Sequence, residues 1–331
     1  MAFDPRHQLL HCASCHSVRC PEAADKARPW SRPAPVAEIP YRGVGNSTSE
    51  QVQEAAAISC PSCGAEHAAL AGTVASNCPF CTTPLVGAVR HVHTHMRPTG
   101  IVPFSLTEDE AHPAIAREVA STHKPRGLKR FLRDRPALIG TYAAFYTFDA
   151  TLHGTFTAER GSHSQNNYRI KTGSAHTKAD DALIAASDEA GVTQSLAERA
   201  EPRQVAPDVQ PYREEYLAGF QAALPTIGLT DARDRAHDRF ASIFWLAAKE
   251  EAGHGWRITE LDFKATNVTW KLLLLPVWLG HYRCGKQTCW IAVNGSNGTA
   301  VIQKGNDGWT NIVLMVLGLS AVLGYLYLKM I

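Results

Sequence analysis

The chain has 331 residues, 45% of them apolar and 19% charged, with a formal net charge of +2. That balance excludes a disordered or low-complexity chain, and the length leaves room for more than one domain. The near-neutral charge argues neither for nor against a polyanionic partner.

Nine cysteines would suit a disulfide scaffold, but most of them stand in CxxC pairs. Residues 1–10 carry Asp4, Arg6 and His7 and lack the apolar stretch of a signal peptide, so a reducing, cytosolic setting is expected. Residues 1–20 contain Cys12-Ala13-Ser14-Cys15-His16. This also fits the haem c attachment pattern, which needs export. The better reading is a partial (half) zinc ribbon, with Cys12 and Cys15 as candidate ligands of a second metal ion. His7, His11, His16 and Cys20 are the candidates to complete it.

Residues 21–57 have the Pro/Ala-rich composition of a linker, with a short helix expected over 51–58. The strongest signal follows at 58–90. Cys60-Pro61-Ser62-Cys63-Gly64 is answered by Cys78-Pro79-Phe80-Cys81, with 14 residues between the pairs. One tight turn aims two sulfurs at one ion, and a β-hairpin returns the chain for the second pair. Four thiolates fill the tetrahedron of zinc and leave no open position for water. A structural Zn2+ held by Cys60, Cys63, Cys78 and Cys81 is therefore expected, in a zinc ribbon that needs its metal to fold. His91, His93 and His95 alternate as on a strand.

Residues 100–305 read as one α+β domain. Ser105 and Glu108 form a capping box before a helix at about 106–121. Residues 124–135 carry six basic residues and one acid, and Lys124, Arg126, Lys129, Arg130 and Arg133 are candidate contacts for a membrane surface or a polyanion. Residues 142–161 are rich in aromatic and β-branched residues and read as strands. A helical section is expected over 178–250, in three pieces at 179–190, 212–224 and 231–251. Strands return at 256–264, 268–283, up to 293, and 299–303. Residues 309–329 are apolar, flanked by Trp309, Tyr325 and Tyr327, and long enough at ~1.5 Å per residue to cross a bilayer as a single C-terminal transmembrane helix.

The fold class expected from sequence is therefore α+β: an N-terminal zinc ribbon, a β-rich domain with a helical insertion, and a single membrane helix. The matching location is the inner membrane, single-pass, with the bulk of the chain cytoplasmic. The expected partners are the lipid bilayer and cytosolic or peripheral membrane proteins, with nucleic acid as the alternative. No enzymatic motif stands out. Residues 280–287 approach a phosphate-binding loop, but Gln287 stands where Ser or Thr must hold magnesium, and strands flank it.

The order of Cys60-Pro-Ser-Cys-Gly, Cys78-Pro-Phe-Cys, Val102-Pro-Phe-Ser-Leu-Thr-Glu-Asp-Glu-Ala111, Tyr146-Thr-Phe-Asp-Ala150, Glu159-Arg-Gly161, Leu274-Leu-Pro-Val-Trp278, Gly285-Lys286 and Val293-Asn-Gly295 resembles a bacterial family of membrane-anchored zinc-ribbon proteins. These are often labelled as primosomal protein N′ or superfamily II helicase-like, or as TFIIB-type zinc-ribbon proteins. The resemblance covers nearly the whole chain and implies a membrane-tethered scaffold or adaptor, with some relatives serving membrane-stress responses. The chain departs from the family in opening with half a ribbon, in Thr82 where the second knuckle has Gly, and in Phe145-Tyr146 for Tyr-Trp.

Overall fold

The computed structural model describes residues 1–21, 36–42, 52–62, 64–68, 77–85, 90–121, 127–162, 167–187, 192–199, 208–284 and 287–303. Strands β1 (Ala2–Asp4), β2 (Leu9–His11) and β3 (Val18–Arg19) form a small antiparallel sheet. Strand β4 (Ile39–Pro40) pairs with the large sheet described below. A second small sheet, in the order β6-β5-β7, comprises β5 (Val52–Ser59), β6 (Glu66–Ala68) and β7 (Arg90–Met96). After β8 (Gly100–Ile101) come helices α1 (Glu108–Ser121) and α2 (Leu128–Asp134), then the long strands β9 (Ile139–Ser162) and β10 (Asn167–Ala185). Helix α3 (Val192–Arg199), β11 (Gln210–Pro211), a 3-10 turn (Glu214–Leu217), β12 (Gln221–Ala222) and helix α4 (Leu229–Ala252) lead into β13 (Arg257–Cys284), β14 (Gln287–Asn294) and β15 (Ala300–Ile302). The large sheet runs β10-β9-β13-β14-β15.

Among the described residues 46% lie in strands and 24% in helices, so the chain is mainly antiparallel sheet. This corrects the α+β class expected from sequence. Residues 179–185, read as helix for their alanines, belong to β10 and pair with β9. Residues 212–224 form the 3-10 turn and β12, and 52–59 form β5. Alanine's helix propensity is worth well under ~1 kcal/mol per residue, and in-register pairing on a buried face outweighs it.

The membrane helix is corrected as well, and with it the single-pass inner-membrane location. No described helix is long and apolar enough to cross a membrane, and residues 309–329 lie outside the described residues. The longest described helix, α4, has 24 residues but carries Asp231, Arg233, Asp234, Arg235, Asp238 and Arg239. The apolar run at 272–279 is the interior of β13, buried on both faces of the sheet.

Period-2 alternation divides the central strands between two cores. Tyr142, Ala144, Tyr146 and Phe148 of β9, with Leu272, Leu274 and Trp278 of β13, face α1, α2 and α4. Ala143, Phe145, Leu273, Leu275, Val277 and Leu279 face the other way, onto α3 and the cysteine turns. Helix α4 buries a single stripe, Ala232, Ala236, Phe240, Phe244, Ala248 and Ala252, at a spacing of four. The alanines let the helix sit close to the sheet, and the two phenylalanines contribute about 2–3 kcal/mol each by burial. Lys171 Nζ closes the helix end, donating to the Glu251 and Ala252 carbonyls at 3.0 Å each. The N-terminus of α1 is also capped, one box later than expected from sequence: the Thr107 N–H and hydroxyl both donate to Glu110 Oε2 at 2.8 Å.

Both neighbours of β9 carry a bulge at the same level. In β10 the register shifts between Ala179 and Ala182, and in β13 between Thr266 and Thr269. Asp181 (φ 49°) and Asn267 (φ 51°) take the left-handed conformation there. The sheet thus has a corner at Asp149, with an outer arm beyond it, whose sides alternate between buried and exposed, and an inner part covered on both faces.

Candidate metal centre

The two CxxC turns share one backbone geometry. The Cys60 N–H donates to the Ala65 carbonyl at 2.8 Å, and the Gly64 N–H returns to the Cys60 carbonyl at 2.9 Å. At the second turn the Cys78 N–H donates to Thr83 O and the Thr82 N–H to Cys78 O, both at 2.9 Å. Each turn requires a left-handed residue at the fifth position. Gly64 (φ 74°) provides it at no steric cost, and Thr82 (φ 63°) provides it against the preference of a β-branched side chain.

These turns bring Cys60, Cys78 and Cys81 together, with their Sγ atoms all within 4.8 Å of one another and Cys60 to Cys81 at 3.5 Å. Thiolates ~2.3 Å from a zinc ion at tetrahedral angles lie about 3.8 Å apart, so three close cysteines here fit a metal ion. Cys60 and Cys78 are buried, and Cys81 is half-buried with its thiol 3.2 Å from Thr83 Oγ1. Cys63, the fourth residue of the expected set, lies outside the described residues.

The cluster is built into the large sheet. Phe80, between the two cysteines of the second turn, is buried in the same core as Leu273, Leu275, Val277, Leu279 and Trp290. Its carbonyl accepts from Nε2 of His281 on β13 at 2.8 Å. Burial pulls His281 below the usual histidine range, against the pull of that bond, so the ring stays neutral and acts as a fixed donor. The Leu224 N–H, just past β12, holds the Glu66 carbonyl of β6 at 3.0 Å.

The other expected site residues are not brought to this centre. Cys12 and Cys15 lie in the turn between β2 and β3, and among the described residues no third Cys, His, Asp or Glu converges with them as three do at Cys60, Cys78 and Cys81. The Cys15 thiol is hydrogen-bonded to Ser17 and Cys12, which holds it down at about 7. His7 is engaged by Asp4 at 2.7 Å. Lys124 and Arg126 lie outside the described residues, while Lys129, Arg130 and Arg133 are exposed on α2. Arg130 and Arg133 both pair with Asp134, at 3.1 and 2.8 Å. His91, His93 and His95 lie on β7.

Sequence reasoning missed a second polar constellation, at the sheet's corner. Lys271 Nζ lies 2.8 Å from Asp181 and 3.5 Å from Glu38, and Glu38 accepts the Thr269 hydroxyl at 2.6 Å. Burial and the hydrogen bond to Glu38 push Asp149 up to about 7, and that same bond holds Glu38 low. The proton is thus carried by Asp149 and shared with Glu38. Burial pulls Lys271 down, but the bond and charge of Asp181 outweigh it and the net shift is upward. The signal in the sequence was a charge in each of two apolar strand runs, Asp149 after Phe148 and Lys271 between Trp270 and Leu272.

Compared with known proteins, the chain matches no family model, no curated protein and no solved structure. The site therefore has to be read from its own geometry, as a thiol cluster fit for a metal on the face of an antiparallel sheet.

Proposed function

We propose that the chain is a zinc-stabilised, non-enzymatic scaffold that presents its ribbon and sheet to protein partners. One observation carries this reading: Cys60 and Cys78 are buried in a core shared with the large sheet, with Cys81 packed half-buried against it, and four thiolates around an ion there would leave no coordination position for a substrate. Cys60, Cys78 and Cys81, with Cys63 from the first CxxC, would hold it. The all-sulfur donor set favours zinc among the divalent ions of a reducing compartment. When bound, the ion supplies a cross-link between two turns that no hydrophobic core of their own could fix. The pairing of Arg130 and Arg133 with one aspartate leaves α2 a weaker polyanion site than its composition suggests, which favours protein partners over nucleic acid.

The test is metal analysis joined to affinity capture. The purified chain is expected to hold about one zinc at the ribbon, and specific proteins retained by it are expected to be lost with Cys78→Ser but kept with Arg130→Glu/Arg133→Glu. Nucleotide turnover would overturn the reading. So would binding to DNA or RNA that weakens steeply with salt and vanishes in the double arginine variant.

A further inference from the structure

The turn geometry of the metal centre recurs around another CxxC pair, at the tip of the β2–β3 hairpin. The Cys12 N–H donates to the Ser17 carbonyl at 3.0 Å, and the His16 N–H returns to the Cys12 carbonyl at 2.9 Å. His16 takes the left-handed conformation (φ 56°) that Gly64 and Thr82 take in the other two turns. The same backbone bonds shape the cysteine-free β14–β15 turn, where the Asn294 N–H donates to Thr299 O at 2.8 Å and the Gly298 N–H (φ 76°) to Asn294 O at 2.9 Å, so what marks the β2–β3 turn is the pair of thiols it presents. The small sheet that carries this turn is anchored to the rest of the chain. The Phe3 N–H donates to Ala218 O at 2.8 Å, Gln8 Nε2 donates to Phe104 O at 2.7 Å, and the Phe3 and Tyr216 rings meet edge to face.

Two thiols are half of what a structural zinc takes. Residues 13–20 are all exposed, and among the described residues no third ligand atom joins Cys12 and Cys15. Cys284 and Cys289 are buried in the β13–β14 hairpin, and Cys60, Cys78 and Cys81 serve the ribbon. We propose that Cys12 and Cys15 form a metal half-site completed by the same two residues of a second copy of this chain, so that one zinc bridges a two-fold dimer. A two-fold axis through the ion makes one rigid, protruding turn complementary to itself and supplies four sulfurs without any further element. On binding, the four thiols release their protons to solvent and no electrons move.

The experiment compares the full chain with a Cys12→Ser/Cys15→Ser variant, both purified with zinc and a reductant that rules out disulfide-linked dimers. Molar mass in solution and zinc per chain are measured for each. The turn is exposed and the hydrogen bonds that shape it are backbone bonds, so the variant keeps its fold, which circular dichroism verifies. The expected result is a dimer that becomes a monomer in the variant, with a fall of about 0.5 zinc per chain. The difference reads this half-site alone, whatever the ribbon holds. A monomeric full chain that loses about one zinc per chain in the variant would place the remaining ligands within the chain, Cys20 first, and overturn the bridge. No change in zinc or in mass would overturn it too.

Discussion

Thr82 occupies a backbone conformation that glycine fills at the same step of the first turn, and its hydroxyl offsets part of the strain by donating to the Cys81 carbonyl at 2.6 Å. The left-handed cost for a β-branched residue is about 1–2 kcal/mol, of which glycine's extra chain entropy returns part. Thr82→Gly is therefore expected to stabilise the chain by roughly 0.5 kcal/mol, seen as a higher melting temperature. A lower one would mean that the hydroxyl bond outweighs the strain. Cys78 is fully buried among the converging thiols, and serine there replaces a soft ligand with a poor one. Cys78→Ser is expected to abolish zinc retention and to cost at least ~3 kcal/mol in denaturant unfolding, since metal binding energy is folding energy here. Unchanged zinc content would refute the assignment.

Among the elements, β9 and β13 come so close that a side chain cannot fit at Gly154, where a Cβ would lie 2.0 Å from the Asp262 carbonyl oxygen. Gly154→Ala is expected to destabilise by about 2 kcal/mol or more, because the atom in the way is backbone and cannot rotate aside. At the corner, Asp149 titrates near 7 in the folded chain against about 3.9 unfolded. The folded state thus holds a proton that the unfolded state has released. The stability this contributes is full below pH ~4 and is lost as pH rises through ~7, while Glu38, held low, works in the opposite sense. Urea unfolding of Asp149→Asn between pH 4.5 and 7.5 should show a flatter pH dependence than the parent chain; equal slopes would rule out the shared proton. Much of this layer was legible in the sequence. The aromatic and β-branched runs marked β9 and β13, and the Phe240, Ile243 and Phe244 spacing marked α4. What escaped was β10, where alanine-rich residues 179–185 carry a helix pattern locally and are held extended by pairing with β9, from Ala179 with Ala150 to Ala185 with Phe145. Pairing over such distances leaves no local mark, and neither does the corner, which exists because the two bulges fall opposite adjacent residues, Asp149 and Ala150.

Across the whole molecule, the cysteine turns, which read in sequence as a separate ribbon, provide much of the cover for one face of the large sheet. Phe80, Leu85 and the buried cysteines lie against Leu273, Leu275 and Trp290, contacts between segments about two hundred residues apart that no motif announces. Chelation of the metal is therefore expected to lower the stability of the entire sheet, with ribbon and sheet probes melting in one coincident transition. Two separated transitions would show that the ribbon is a detachable unit. The corner in β9 sets the opposite kind of boundary. Its outer arm is sheltered chiefly by α4, and the register of the ladder is interrupted on both sides of Asp149. Amide hydrogens of residues 151–162 and 257–266 should therefore exchange with solvent through openings that spare residues 139–148 and 270–279. Under load the molecule would then yield in stages, the arm peeling away while the half backed by the cysteine turns stays whole.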